Sequence, residues 1–133
     1  MAKIPKEVMD LLNSSDSSKV LATRDMEGKV NAIPLYSLIA ADDETVGFAE
    51  LFIKKTKENL EMTKKATALV FKAPTVAYQL KGTFVGFQTS GPLFERISKA
   101  IMDSYKLPTK AVGTIKVEEV YSATPGQQSK KIA

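Results

Sequence analysis

The residues best able to do chemistry in this chain lie at Phe52-Ile53-Lys54-Lys55-Thr56-Lys57-Glu58-Asn59, where an apolar run gives way to one rich in lysine. The pattern predicts a strand over 45–53 and a helix over about 57–65. Thr56 is its expected N-cap, because a threonine hydroxyl accepts a bond from the free N–H groups of a first turn. The charge has the wrong sign for such a place: a helix start is already positive, and a cation there costs about 0.3–1 kcal/mol. A phosphate would reverse that cost, since the free N–H groups, the dipole and the ammonium groups of Lys54, Lys55 and Lys57 would all converge on it. The same residues fit a capped surface helix with solvated lysines equally well.

Other chemistry is narrowed by what is missing. The sequence contains no cysteine and no histidine, which removes thiolate nucleophiles, disulfides, Cys/His zinc sites and imidazole acid–base catalysis. Any reaction must therefore rely on carboxylates, lysine, tyrosine or a borrowed cofactor. No side chain is singled out as catalytic and none as a metal ligand. The net charge is +4, from 19 basic and 15 acidic residues that are interspersed. That balance suits a small anion better than the backbone of a nucleic acid.

A chain of 133 residues is one domain. The expectation is a domain over 1–122 followed by a flexible tail over 123–133, whose Thr124-Pro125-Gly126 and Lys130-Lys131 carry no apolar pattern. No apolar run approaches the ~18 residues needed to cross a bilayer, and residues 1–6 do not resemble a signal peptide. A cytoplasmic protein without membrane contact is expected.

The elements that must position the lysines follow in order. Pro5 to Leu12 reads as a short helix, with Val8, Met9, Leu11 and Leu12 apolar. Lys19 to Arg24 is a strand, Asp25-Met26-Glu27-Gly28 a hairpin turn, and 29–40 a long returning strand, apolar on both faces and so expected to be buried on both. Within it, Asn31 is polar among apolar neighbours and Pro34 cannot donate to a ladder. A proline there marks an edge or a bulge, leaving backbone groups free for a ligand, or is an ordinary bulge with Asn31 satisfied by the sheet. The strand over 45–53 and the lysine helix come next, then a compact strand over 67–71. The longest alternating segment runs from Val76 to Gln88. Its Gly82 and Gly86 share one side, as a tight bend or a close backbone approach needs. Pro92 opens a third helix, in which Leu93, Phe94, Ile97, Ala100 and Ile101 recur at helical spacing and read as core. Lys106-Leu107-Pro108 ends it, and Ala111 to Tyr121 is the last strand. The fold expected is mainly β with α: a six-stranded antiparallel split β-barrel of Greek-key type with about three peripheral helices.

Taken in order, Asn31-Ala32-Ile33-Pro34, Lys54-Lys55-Thr56, Asn59, Leu69 to Phe71, Leu80-Lys81-Gly82-Thr83 and Gln88-Thr89-Ser90-Gly91-Pro92-Leu93-Phe94-Glu95 resemble the FMN-binding split-barrel proteins, relatives of pyridoxamine 5'-phosphate oxidase. The likeness spans about Lys19 to Tyr121 and is nearest to the small FMN-binding members. It implies a homodimer with FMN at the subunit interface. It implies further that Lys55 and Thr56, with Lys54, hold the phosphate, that Asn31, Ala32, Ile33 and Pro34 pass along the isoalloxazine ring, and that Ala49, Glu50 and Leu51 line the same groove. Tyr36 and Tyr78 are candidates to lie near the ring.

The chain departs from the larger members, which bind substrate with histidine and added arginines, whereas only Arg24 and Arg96 are present here. The resemblance therefore implies an oxidoreductase, or an electron or hydride carrier, that does not act on pyridoxamine phosphate. In such a protein the flavin does the redox chemistry and the protein orients it. The rival readings are a deazaflavin-dependent reductase of the same fold, an FMN storage protein, and a single-strand nucleic-acid module. The last is opposed by Phe71, Phe84 and Phe87, which sit in apolar strand patterns rather than a basic row. Haem is disfavoured by the absence of histidine.

Overall fold

A computed structural model describes residues 2–133. The elements run α1 (Lys6–Leu12), β1 (Ser18–Arg24), β2 (Val30–Pro34), β3 (Ile39–Ala40), β4 (Thr45–Glu50), α2 (Lys54–Thr63), β5 (Lys65–Lys72), β6 (Val76–Gln88), α3 (Pro92–Tyr105), β7 (Ala111–Ser122) and β8 (Lys130–Lys131). One antiparallel sheet holds them in the order β2-β1-β5-β6-β7-β4-β3, and β8 pairs with β7. The two ends of that path, β2 and β3, are consecutive in the chain yet not bonded to each other. The barrel is split at that seam.

Alternation along the strands fills the interior. In β1 the inward positions are Lys19, Leu21 and Thr23, and in β5 they are Ala66, Ala68 and Val70. Phe48, Leu60, Leu80, Phe84, Ile115 and Val117 complete the main core, with Leu12 and Val8 of α1 closing one end. Each fully buried aliphatic side chain contributes roughly 1.5–3 kcal/mol.

The bend that curls the sheet falls at the predicted glycines. The β6–β7 register slips between Lys81 and Gly82 and again between Phe84 and Gly86. At Gly82 any Cβ would collide with the carbonyl of Lys116 on the neighbouring strand. Only glycine permits that approach.

The structure differs from the sequence reading in four places. Eight strands are present rather than six, because the long strand expected over 29–40 breaks into β2 and β3 around a turn at 35–38, and because β8 is added. β2 is not buried on both faces: it is the outer strand, with Val30, Ala32 and Pro34 exposed. The helix expected from about residue 57 begins at Lys54, with Ile53 rather than Thr56 at its N-cap. The segment 123–133, expected as a tail without structure, folds back. Lys130 and Lys131 pair with Ser122 and Tyr121, the Ile132 and Ala133 N–H groups bond to Val120 O, and Ala133 packs on the core. These contacts are largely backbone contacts, to which hydrophobic patterning is blind.

Candidate functional site

The seam is bordered on one side by β2, and the hydrogen-bond pattern tells which of its backbone groups are free. Asp25 N–H bonds to Lys29 O, and Leu35 N–H to Lys19 O. With the register Thr23↔Asn31 and Leu21↔Ile33, the odd-numbered residues 29–35 bond inward to β1. Val30, Ala32 and Pro34 thus direct their backbone groups outward, because bonded and non-bonded pairs alternate in an antiparallel ladder. Pro34 therefore sits where its missing N–H costs no ladder bond, and the expectation of an edge proline holds.

Across the seam lies the end of β4. The Ala49 N–H donates to Ser37 Oγ at 2.9 Å, tying the turn after β2 to that strand. Between them runs a largely apolar groove of about 420 Å³, walled by Ile33 and Pro34 on one side and Ala49 and Leu51 on the other. Tyr36, Phe52 and Tyr105 also border it, and they are 55%, 86% and 53% exposed. A second hollow of about 440 Å³ adjoins at Leu51 and Phe52, and its charged lining mixes Lys54, Lys57 and Lys110 with Glu50, Glu58 and Glu61.

The helix that carries the lysines is docked by polar bonds. Its buried face is Thr56, Asn59 and Leu60. Asn31 Nδ2 donates to Thr56 Oγ1 at 3.0 Å, and Asn59 Nδ2 donates to Thr23 Oγ1 at 3.1 Å. One turn on, the Thr63 hydroxyl donates to Arg24 O at 3.2 Å. These bonds hold α2 against β1 and β2 and fix where it starts. At that start there is no side-chain cap and no acidic residue in the first turn. The Lys57 N–H reaches back to Ile53 O at 2.7 Å, so the N–H groups of Lys54, Lys55 and Thr56 precede the first helical bond.

The three lysines have different surroundings. Lys57 Nζ lies 2.9 Å from Glu50 Oε2 and 5.2 Å from the centre of the Phe87 ring. Its pKa is raised, chiefly by the hydrogen bond to Glu50. Lys55 Nζ lies 4.0 Å from Asp25 Oδ2. Lys54 is exposed and forms no ion pair among the described residues. The mutual crowding of three ammonium groups is thus relieved at Lys57 by Glu50, and the uncompensated charge at the helix start is carried by Lys54 and, weakly paired, Lys55.

Of the residues named from sequence, Ile33, Pro34, Ala49 and Leu51 meet in the groove. Glu50 and Lys54 line the adjoining hollow, and Asn31 and Thr56 are bonded to each other. Ala32 is exposed on the edge strand, and Lys55 faces the Asp25 turn. Tyr36 borders the groove, whereas Tyr78 packs on the main core. The reading overlooked Leu35, Ser37, Phe52, Ile101 and Leu107 as groove walls. Phe52 alone carried a signal, an aromatic flanking the lysines. The others arrive through a turn and a helix distant in sequence.

No family model and no curated protein matches this sequence. Solved structures do. HupZ of Group A Streptococcus superposes with a TM-score of 0.79 at 29% identity, covering 96% of this chain and 99% of that one. An FMN-binding protein from Syntrophomonas wolfei gives 0.80 at 22% identity, over 90% and 85% of the two chains. A protein of Clostridium acetobutylicum related to general stress protein 26, described as of the pyridoxinephosphate oxidase family, gives 0.70 at 15% identity over 95% and 92%.

Proposed function

This chain has the split-barrel fold of the pyridoxamine 5'-phosphate oxidase-like proteins, and on that premise we propose that it is an FMN-binding flavoprotein serving as an oxidoreductase or an electron or hydride carrier. One observation carries the reading: an apolar groove beside an edge strand with outward backbone groups leads to a helix start whose first turn holds lysines but no side-chain cap and no acidic residue of its own.

The residues present fit the cofactor. Ile33 and Pro34 on one wall, with Ala49 and Leu51 on the other, would receive the flat ring system. The outward N–H and C=O of Ala32 and the C=O of Pro34 would meet the ring's polar edge. Lys54 and Lys55, with the first N–H groups of α2, would hold the phosphate, where ammonium groups and helix dipole act together. Thr56 takes a narrower role than the sequence assigned to it. It is 1% exposed and engaged by Asn31, so it positions the helix start while its backbone N–H contributes to the anion site. Bound FMN would supply the hydride or electron transfer; the chain orients it and keeps water from the ring face it covers.

A second copy of the chain would cover the other ring face. Tyr36, Phe52 and Tyr105 leave large apolar surface around the groove, and a twofold pairing across it would bury that surface and complete the flavin site. The reading includes this homodimer.

The test compares FMN with riboflavin, which lacks the phosphate. Replacing Lys54 and Lys55 together by alanine is expected to weaken FMN by about tenfold or more and leave riboflavin unchanged. Equal weakening of both would place the phosphate elsewhere. A colourless protein that FMN does not reconstitute would remove the proposal altogether.

A further inference from the structure

A second cavity, of about 320 Å³, lies between β1, the turn leading to β3, and α3. Its walls include Lys19 and Arg96, the serines at 15, 17, 37 and 104, and not one carboxylate. We infer that it is a binding pocket for a small organic anion, whose carboxylate or phosphate group is held by Lys19 and Arg96.

Lys19 is the decisive residue. Alternation along β1 puts it on the inward face with Leu21 and Thr23, and it is only 5% exposed. An ammonium group has three protons to donate, and here one weak bond is made, to Tyr36 O at 3.5 Å. No acid lies within ion-pair distance among the described residues, and burial lowers the lysine's pKa. A buried, uncompensated cation is expensive to keep. A cavity in front of it that lacks any acid offers a place for the missing negative charge.

Arg96, on α3, also lines the cavity and is exposed, with no ion pair or side-chain hydrogen bond to any described residue. A guanidinium with five free donors matches carboxylate or phosphate oxygens in a fork that lysine cannot make. Ile97 and Ile101, from the turn of α3 beside it, give the cavity an apolar floor. An organic anion suits that mixture better than a bare inorganic one, and the volume is at the small end of ligand cavities. The cavity shares Tyr36, Ser37, Ile101 and Tyr105 with the groove described above, so its occupant would lie next to that groove. The pocket itself does not depend on the flavin reading.

The experiment is a thermal-denaturation titration of the full chain without added flavin. Inorganic phosphate is one series and acetate the other, with chloride balancing ionic strength. At least one probe is expected to raise the melting temperature saturably by several degrees, as mass action requires of a ligand that binds only the folded state. The better probe identifies the head group. Lys19→Met and Arg96→Gln should each weaken that probe at least tenfold, while Lys65→Met, at an exposed lysine outside the cavity, leaves it unchanged. Arg96 is at the surface, so its variant carries the test if Lys19→Met does not fold. Absence of a saturable rise with both probes, or an unchanged response in Arg96→Gln, would overturn the assignment. Because flavin is absent throughout, that failure is separate from failure of the FMN and riboflavin comparison.

Discussion

The two helices that flank the barrel are attached in opposite ways. α3 lies on β4 and β7 through Ile97, Ile101 and the half-buried Leu93 and Phe94, an apolar stripe against Ala49 and Val112. α2 meets β1 and β2 through Thr56, Asn59 and Leu60, and two of those three contacts are side-chain hydrogen bonds. Apolar packing gains most of its energy from area and is indifferent to direction. A buried hydrogen bond is lost when its partners turn or separate. α3 is therefore attached for stability, and α2 for position. That division is what a helix start presenting groups to a ligand requires.

The largest expected effect on stability is on the α3 side. Ile97→Ala should cost about 2–5 kcal/mol in urea denaturation, with flavin affinity of the folded protein nearly unchanged. Thr56→Val keeps the shape but deprives the Asn31 amide of its acceptor. A loss of about 1–3 kcal/mol is expected, together with a fall in FMN affinity larger than that caused by Ile97→Ala. If the order of the two affinities reverses, the contrast between the helices fails. Lys57→Ala, which leaves the buried Glu50 carboxylate (8% exposed) without its ammonium partner, should lower the melting temperature by a few degrees. It would sharpen the comparison by separating this lysine from Lys54 and Lys55 in the FMN titration.

The smallest effect is a matter of pH. The Asp25 carboxyl is held below the usual range, first by the Lys29 N–H and also by the Glu27 N–H and Lys55. A carboxyl depressed on folding stabilises the native state above its unfolded pKa, and that contribution is lost as pH falls through the folded value. Asp25→Asn should therefore flatten the acid limb of stability measured by urea denaturation.

The same contrast explains what the sequence could reveal. α3 and β6 were legible because their apolar spacing is regular, and Gly82 because only a missing side chain allows the Lys116 carbonyl so near. The start of α2 was misplaced by three residues. Thr56 looked like a cap, yet its hydroxyl is taken by Asn31, 25 positions away, and no local rule sees such a partner. The residues from 30 to 40 read as one buried strand since Leu35 and Leu38 are indeed buried, but they are buried in a turn. Lys19 was read only as the first residue of a strand, since Val20 and Ala22 alternate with it as apolar residues, and its place on the inward face with Leu21 and Thr23 is a finding of the structure. Of the groove, the walls from β2 and β4 are among the residues that the family resemblance named. Those from α3 are not, because its contribution depends on how the barrel folds over.

The edge proline has one more effect. An open sheet margin invites any extended peptide to zip onto it, and fibrous association begins that way. At Pro34 the outward position offers a carbonyl with no donor beside it, which leaves Val30 and Ala32 as the outward N–H groups of β2. An edge so interrupted is a poorer template for another strand. The seam can stay open to a small molecule while closed to polymerisation, and Pro34→Val should make the protein prone to cross-β aggregates.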